Sequence, residues 1–279
     1  MIRKSILSTL TLLALSGCTQ QVVDTIIPLD EAFIKQCDLI TITPLVKKGW
    51  HQETYAAQLG PYHTSAVKSS GRDTETVSTN EKGEVISIMD NVVSGVKDIL
   101  IDAVIPFAKS SSQTDYSRSK SKQSYSFSLK ENKHSIGHVS CTIKNAEMIA
   151  TSENEGENKT NTEKLYSKLS CQIKHQKEGF YHLTSEKEGS TPRVELKHVK
   201  SHFDIKAKRK RTHVLSDGSR TTDDFNIWGW TFSKGGKKVA LFLTQEPRKV
   251  WIKRSVSKKE KEILLMAIYS MILTPQIEK

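Results

Sequence analysis

The chain has 279 residues, with 42 Lys and Arg against 31 Asp and Glu for a net charge of +11, and four cysteines. Neither of its long apolar runs, 6–15 and 263–273, reaches the roughly 20 residues of a membrane-spanning helix. No Gly-x-Ser-x-Gly, phosphate-binding Gly loop or dinucleotide fingerprint is present, so acyl-transfer and nucleotide chemistry have no visible foothold.

At the amino terminus Arg3 and Lys4 precede an apolar run from Ile6 to Leu15, which closes on Leu15-Ser16-Gly17-Cys18. This segment resembles a bacterial lipoprotein signal peptide, whose lipobox reads Leu, a small residue, Gly or Ala, then Cys. The resemblance implies that residues 1–17 are cleaved. Cys18 then becomes the first mature residue, acylated (palmitate among its chains) at thiol and amino group. Several chains hold a protein durably where one does so marginally. Thr19 stands where Asp would favour inner-membrane retention, so the expected location is the outer membrane, facing the periplasm.

Residues 18–36 read as a lipid-anchored tether and 37–279 as a single β-rich domain. Cys37 to Val46 predicts a first strand, and Tyr55 to Val67 a second around Gly60-Pro61. Ser, Thr, Lys, Glu and Gly dominate from Ser65 to Glu84, and Ser and Lys from Ser110 to Ser124, which predicts two flexible connections. Between them, Val85 to Phe107 places Val85, Met89, Val92, Val93, Val96, Leu100 and Ala103 on one face at 100° per residue. That is an amphipathic helix. Its polar face carries Asp90, Asp98 and Asp102 against Lys97, which suits packing on protein better than on a membrane. The expectation is a linker-flanked helical excursion at 65–124.

From Tyr125 the pattern becomes strands: Tyr125 to Lys130, Gly137 to Ala150, Leu165 to Gln176, Gly179 to Ser185 and Arg193 to Lys206. Cys141 and Cys171 sit in matching contexts, Ser140-Cys141-Thr142-Ile143-Lys144 and Ser170-Cys171-Gln172-Ile173-Lys174. If these two strands form one hairpin with its tip near Gly156, 141 faces 171 and a disulfide joins them. Three residual thiols allow three pairings, and Cys37 is the odd one, either free and buried or intermolecular.

Asp217-Gly218 predicts a turn between Thr212–Leu215 and Asp224–Phe232, Gly235-Gly236 one before Val239 to Leu243, and Lys249 to Arg254 a last strand. Ser257 and Glu260 form a capping box for a helix from Lys258 to Leu273 that Pro275 stops. Ile263 to Leu273 is apolar on every side, so the helix should be buried on every side. A barrel or curved antiparallel sheet holding a hydrophobic carboxy-terminal helix resembles the tubby-like architecture, over about the last 155 residues. The expected fold is therefore mainly β (α+β): a curved sheet or barrel-like meander with one amphipathic helix and one buried terminal helix.

The positive charge is a carboxy-terminal property: residues 193–261 hold 19 basic and 7 acidic side chains. Its densest run, Lys206, Lys208, Arg209, Lys210 and Arg211, is a candidate site for an anion or a partner. Behind a lipobox the expected ligands are anionic glycan, lipid headgroups or an acidic envelope protein rather than nucleic acid. A zinc site from His134, His138, Cys141, Cys171 and His175 competes with the disulfide, which suits cysteines in mid-strand better. His198 and His202, four apart, fall on one face of one predicted strand. Trp228, Trp230 and Phe232 could form a glycan platform but alternate as core residues do. No catalytic residue, metal or cofactor is assigned. The expected function is a non-catalytic, membrane-anchored binding or scaffolding module. An enzyme acting on envelope glycan or lipid, or a periplasmic inhibitor or immunity lipoprotein, is the alternative.

Overall fold

In the computed structural model the chain is described over residues 22–45, 55–79, 114–154, 157–188, 191–199, 201–224 and 226–277. The elements run β1 (Val22–Ile26), α1 (Glu31–Ile34), β2 (Cys37–Leu45), β3 (Ala56–Leu59), β4 (Tyr62–Thr64), β5 (Lys68–Ser69), β6 (Asp73–Thr79), β7 (Thr114–Glu131), β8 (His134–Asn154) and β9 (Glu157–His175). There follow β10 (Gly179–Glu188), β11 (Thr191–His198), β12 (Ser201–Lys208), β13 (Arg211–Leu215), β14 (Arg220–Asp223), β15 (Gly229–Lys234), β16 (Lys237–Leu243), β17 (Lys249–Lys253) and α2 (Lys258–Ile277). They form two compact units, Met1–Leu29 with Arg209–Asn226, and Asp30–Lys208 with Ile227–Lys279.

The larger unit is a closed antiparallel barrel of 12 strands, in the order β4-β3-β2-β17-β16-β15-β12-β11-β10-β9-β8-β7. It closes where Tyr62, His63 and Thr64 pair with Glu131, Lys130 and Leu129. Alternation sets the inward face: Tyr125, Phe127 and Leu129 on β7, Val139, Cys141 and Ile143 on β8, and Leu169, Cys171 and Ile173 on β9 are all buried in one core. The β15–β16 hairpin turns on Gly235 and Gly236, both at positive φ (55° and 74°), which a side chain would resist.

Twelve strands enclose more space than their own side chains fill, and α2 occupies it. Residues Ile263 to Ile268 are wholly buried and belong to the same core as the inward strand residues. At the helix amino terminus four successive side chains leave in four directions. Lys258 pairs with Glu131 of β7 at 2.7 Å, and Lys259 with Glu178 in the β9–β10 turn at 2.5 Å. Glu260 then pairs with Lys234 of β15, and Lys261 with Asp38 of β2 at 2.8 Å. These partners follow one another in the same order round the barrel, because each helical residue turns the next side chain by about 100°. The collar fixes the rotation of the helix. The capping box stands beneath it, with Glu260 N–H donating to Ser257 Oγ at 3.3 Å and Ser257 N–H to the Glu260 carboxylate at 3.4 Å.

Several expectations need correcting. The polar connections predicted between 65 and 124 contain β5, β6 and the first half of β7, with β6 paired to β7 from Asp73↔Lys122 to Thr79↔Tyr116. Ser, Thr and charge on both faces hid strands whose bonding is in the backbone. The tether predicted for 18–36 already holds β1 and α1. The strand predicted over Arg193–Lys206 is two strands, β11 and β12, and the stretch from Asp224 to Phe232 becomes a strand only at Gly229. Pro275 does not stop α2, which continues to Ile277; in the last turn proline forfeits little beyond its own missing N–H bond. The amphipathic stretch Val85–Phe107 and the lipobox lie outside the described residues.

The smaller unit is a three-stranded sheet in the order β1-β13-β14, with β1 at its edge. Thr25 pairs with His213 and Ile26 with Thr212, and the register slips between Val22 and Asp24.

Candidate functional site

The basic run divides. On β12, Phe203 and Ile205 point into the core, so Lys206 and Lys208 emerge two residues apart on the exposed outer face of the barrel. Among the described residues neither makes an ion pair. In the same unit Lys168, Lys197, Lys234, Lys238, Lys258, Lys259 and Lys261 do, whereas Lys237, Lys249 and Lys253, among others, do not. The boundary between the two units follows Lys208, so Arg209, Lys210 and Arg211 belong to the smaller unit, with Arg211 opening β13. Lys210 is exposed and Arg209 half-buried.

Arg211 is committed elsewhere. Its side chain is only 13% exposed and its Nε donates to Asp223 Oδ2 at 3.0 Å. His213 Nε2 reaches the same oxygen at 2.5 Å, while its Nδ1 lies 3.0 Å from Thr25 Oγ1. A carboxylate only accepts, so Nε2 carries a proton toward Asp223, while Nδ1 is hydrogen-bonded to the threonine hydroxyl. The His213 hydrogen bond, followed by Arg211, holds the Asp223 carboxyl below the usual carboxylate range. The chain Thr25–His213–Asp223 crosses all three strands and fastens β1 into the sheet. Sequence reasoning missed it, because Thr25 lay within the predicted tether.

Cys141 and Cys171 are directly opposed on β8 and β9, with Cα atoms 4.0 Å apart, and form a disulfide. The pairing of these two strands runs as far as Asn154 with Glu157. Cys37 is free and buried. Its thiol donates to Phe33 O at 3.2 Å, and burial pushes its pKa up.

The zinc reading fails on its cysteines, which are spent on each other. His138 lies on the outer surface between Ser128 Oγ and Ser140 Oγ, at 3.1 and 3.2 Å, while His175 points inward. His198 and His202 do not share a strand: they flank the β11–β12 turn, where Lys197 pairs with His202 and His198 with Ser201. His198 stacks on Tyr181 with ring centroids 4.4 Å apart, and His202 Nε2 meets Asp204 at 3.0 Å. Phe180, His182, Lys197, His198 and Val199 line an open depression of about 430 Å³, with no carboxylate in its lining among the described residues. Trp228, Trp230 and Phe232 are buried, so they offer no platform to a glycan.

One buried polar cluster also escaped the sequence reading. Glu262 receives His175 Nε2 at 2.9 Å and the Tyr62 hydroxyl at 3.4 Å, all three being buried at the mouth of the barrel. The available signal was a single carboxylate abutting the apolar run of α2, with His175 in inward phase after Leu169, Cys171 and Ile173. With this geometry in hand, comparison with protein families, curated proteins and solved structures finds no match to the chain.

Proposed function

We propose that this chain is an envelope lipoprotein, held by acylated Cys18 in the outer membrane and facing the periplasm, that works as a non-catalytic binding or scaffolding module. Its ligand is an anion: glycan, lipid headgroup or the acidic surface of a partner protein. The observation that carries this reading is the pair Lys206 and Lys208, side by side on the exposed wall of β12 without an ion pair among the described residues. Other lysines of the barrel, Lys237, Lys249 and Lys253 among them, also lack an ion pair among the described residues; Lys206 and Lys208 are singled out because they stand two residues apart on one exposed strand face within the densest basic run of the sequence. The interior supports the same view, since α2 fills the barrel and leaves its outer wall as the working surface. A closed barrel around a carboxy-terminal helix is also the layout expected of a tubby-like module. Arg211, bonded to Asp223, is not part of the binding set.

The test is crosslinking in intact cells, comparing wild type with the Lys206→Gln, Lys208→Gln double variant by mass spectrometry of what co-purifies. Loss of a specific partner or envelope polymer from the variant is the expected result. Identical capture by both forms overturns the assignment of these lysines. The anchor is tested separately: Cys18→Ser should retain its signal segment and carry no acyl mass, and a Cys18→Ser protein found with residues 1–17 removed overturns the lipobox reading.

A further inference from the structure

The folded chain begins close to the anchor. Between Cys18 and Val22, the first residue of β1, stand only residues 19–21, and four residues fully extended span about 14 Å. The headgroup layer on one side of a bilayer takes up roughly 6 Å of that reach. A tether running to residue 36 would have let the protein stand well off the surface. With β1 already folded at Val22, it cannot.

The strand held there is apolar and uncovered. Val22 is 53% exposed, Val23 64% and Ile26 41%, three of the few large apolar side chains left open among the described residues. β1 is the edge of its sheet, and the register slip between Val22 and Asp24 leaves Val23 outside the pairing. Val22 lies opposite Leu215, at the end of the sheet where the β13–β14 turn carries Gly218. The bond from Thr25 to His213 keeps the strand from peeling away toward the membrane as a longer leash.

We infer that the Val22–Val23 end of β1 rests on the bilayer that holds Cys18, its apolar side chains entering the headgroup layer, so that the small sheet is a membrane-contacting foot. This inference rests on the lipoprotein reading, which supplies the anchor. Its occupant is the phospholipid surface itself. Partial burial of valines at the headgroup boundary is favourable, as for other interfacial apolar segments, and the short link makes the encounter intramolecular.

The experiment uses the full-length lipidated protein in vesicles of phosphatidylethanolamine and phosphatidylglycerol. A fluorophore is attached at Val23→Cys or, in a second variant, at Ile26→Cys, and is quenched by aqueous iodide. Position 23 should be shielded roughly threefold or more relative to the same label in the non-acylated Cys18→Ser form, with position 26 shielded less because it lies three residues farther along the strand. Acyl mass and flotation with vesicles are read on the same samples. Equal quenching at position 23 in a protein that floats and carries its acyl chains overturns the foot while the anchor stands. Absence of acyl mass removes the anchor and the foot together. Shielding already complete in the Cys18→Ser form without vesicles, accompanied by dimer mass, assigns the edge to a second copy of the chain and likewise overturns the bilayer contact.

Discussion

His175 Nε2 lies 2.9 Å from the Glu262 carboxylate, and on the far side of the ring Nδ1 accepts from the backbone N–H groups of Lys177 and Glu178, at 3.2 and 3.1 Å. Two donors aimed at Nδ1 leave no room for a proton there, so His175 is neutral and its one proton sits on Nε2, toward Glu262. The terminal helix is thereby joined to the end of β9 by an oriented bond. Tyr62 adds a second donor from β4.

Replacing His175 by Phe should therefore be costly, because it leaves a buried carboxylate with one long bond, and a loss of about 3 kcal/mol or more is expected. Glu262→Gln keeps an acceptor for the imidazole and should cost less than half as much. Urea unfolding midpoints of the two variants rank the effects. A Gln variant as unstable as the Phe variant would show that charge rather than bonding holds the helix.

At alkaline pH the barrel should loosen through two tyrosines. Burial first, and then the nearby Glu262, raises the Tyr62 pKa to about 12, and burial raises Tyr269 to about 12 as well. The unfolded chain loses these protons near 10, so above that pH it binds fewer protons than the native state and stability falls with rising pH. The contribution is fully present below about 10 and is lost as pH climbs to about 12, on the order of 2 kcal/mol for each tyrosine. Stability measured from pH 9 to 12 should decline less steeply in Tyr62→Phe and Tyr269→Phe than in wild type.

What could be read in the sequence were features with a local signature. The matched Ser-Cys contexts at 141 and 171, the Ser257–Glu260 box and the Gly235-Gly236 turn each fit within a few residues. Barrel closure by Tyr62 and Glu131 could not be read, because it joins strands far apart in the chain. The break between β11 and β12 left a trace that period counting can find. Val194 and Leu196 point inward at even positions and Phe203 and Ile205 at odd ones, a change of phase that a continuous strand allows only through a bulge. Of the five basic residues adjacent in sequence, Lys206 and Lys208 share one face of β12, and Arg211 bonds Asp223 on the small sheet, a division that charge counting alone does not reveal.

Where Met266 of the helix meets β8, the wall is glycine. A Cβ at Gly137 would lie 2.7 Å from the Lys174 carbonyl and 2.8 Å from Met266 Sδ. Gly137→Ala should destabilise the protein by roughly 1–3 kcal/mol. Trimming Met266 to Ala in the same chain should not rescue it, since the nearer obstacle is backbone. Rescue by that second change would place the whole conflict on the methionine side chain.

The disulfide closes a segment with a sequence separation of 30 residues, which on the chain-entropy estimate stabilises the fold by roughly 3 to 4 kcal/mol. The Cys141→Ala, Cys171→Ala double variant should lose about that amount in urea unfolding. Non-reducing peptide mapping of wild type should recover 141 joined to 171 with Cys37 alkylated only after unfolding. A species linking 37 to either cysteine would contradict the barrel register.

The fastening of β1 gives a prediction specific to the small sheet. Asp223 orients His213, and His213 in turn is hydrogen-bonded to Thr25, so Asp223→Ala should free β1 without touching the barrel. Amide exchange, corrected for its intrinsic pH dependence, should accelerate several-fold at 24–26 and remain unchanged in β8 and β9. The pH dependence follows from the same carboxylate, which the His213 hydrogen bond, then Arg211, holds below its ordinary value of 3.8. A depressed carboxyl contributes stability above the unfolded pKa and loses it as pH falls through the folded one. The Asp223 contribution to wild-type protection of β1 should accordingly decay as the pH drops below roughly 4, whereas the Ala variant should start low and show no such step. If both proteins exchange alike at every pH, backbone pairing with β13 alone holds the strand, and the side-chain chain across the sheet contributes nothing to its hold.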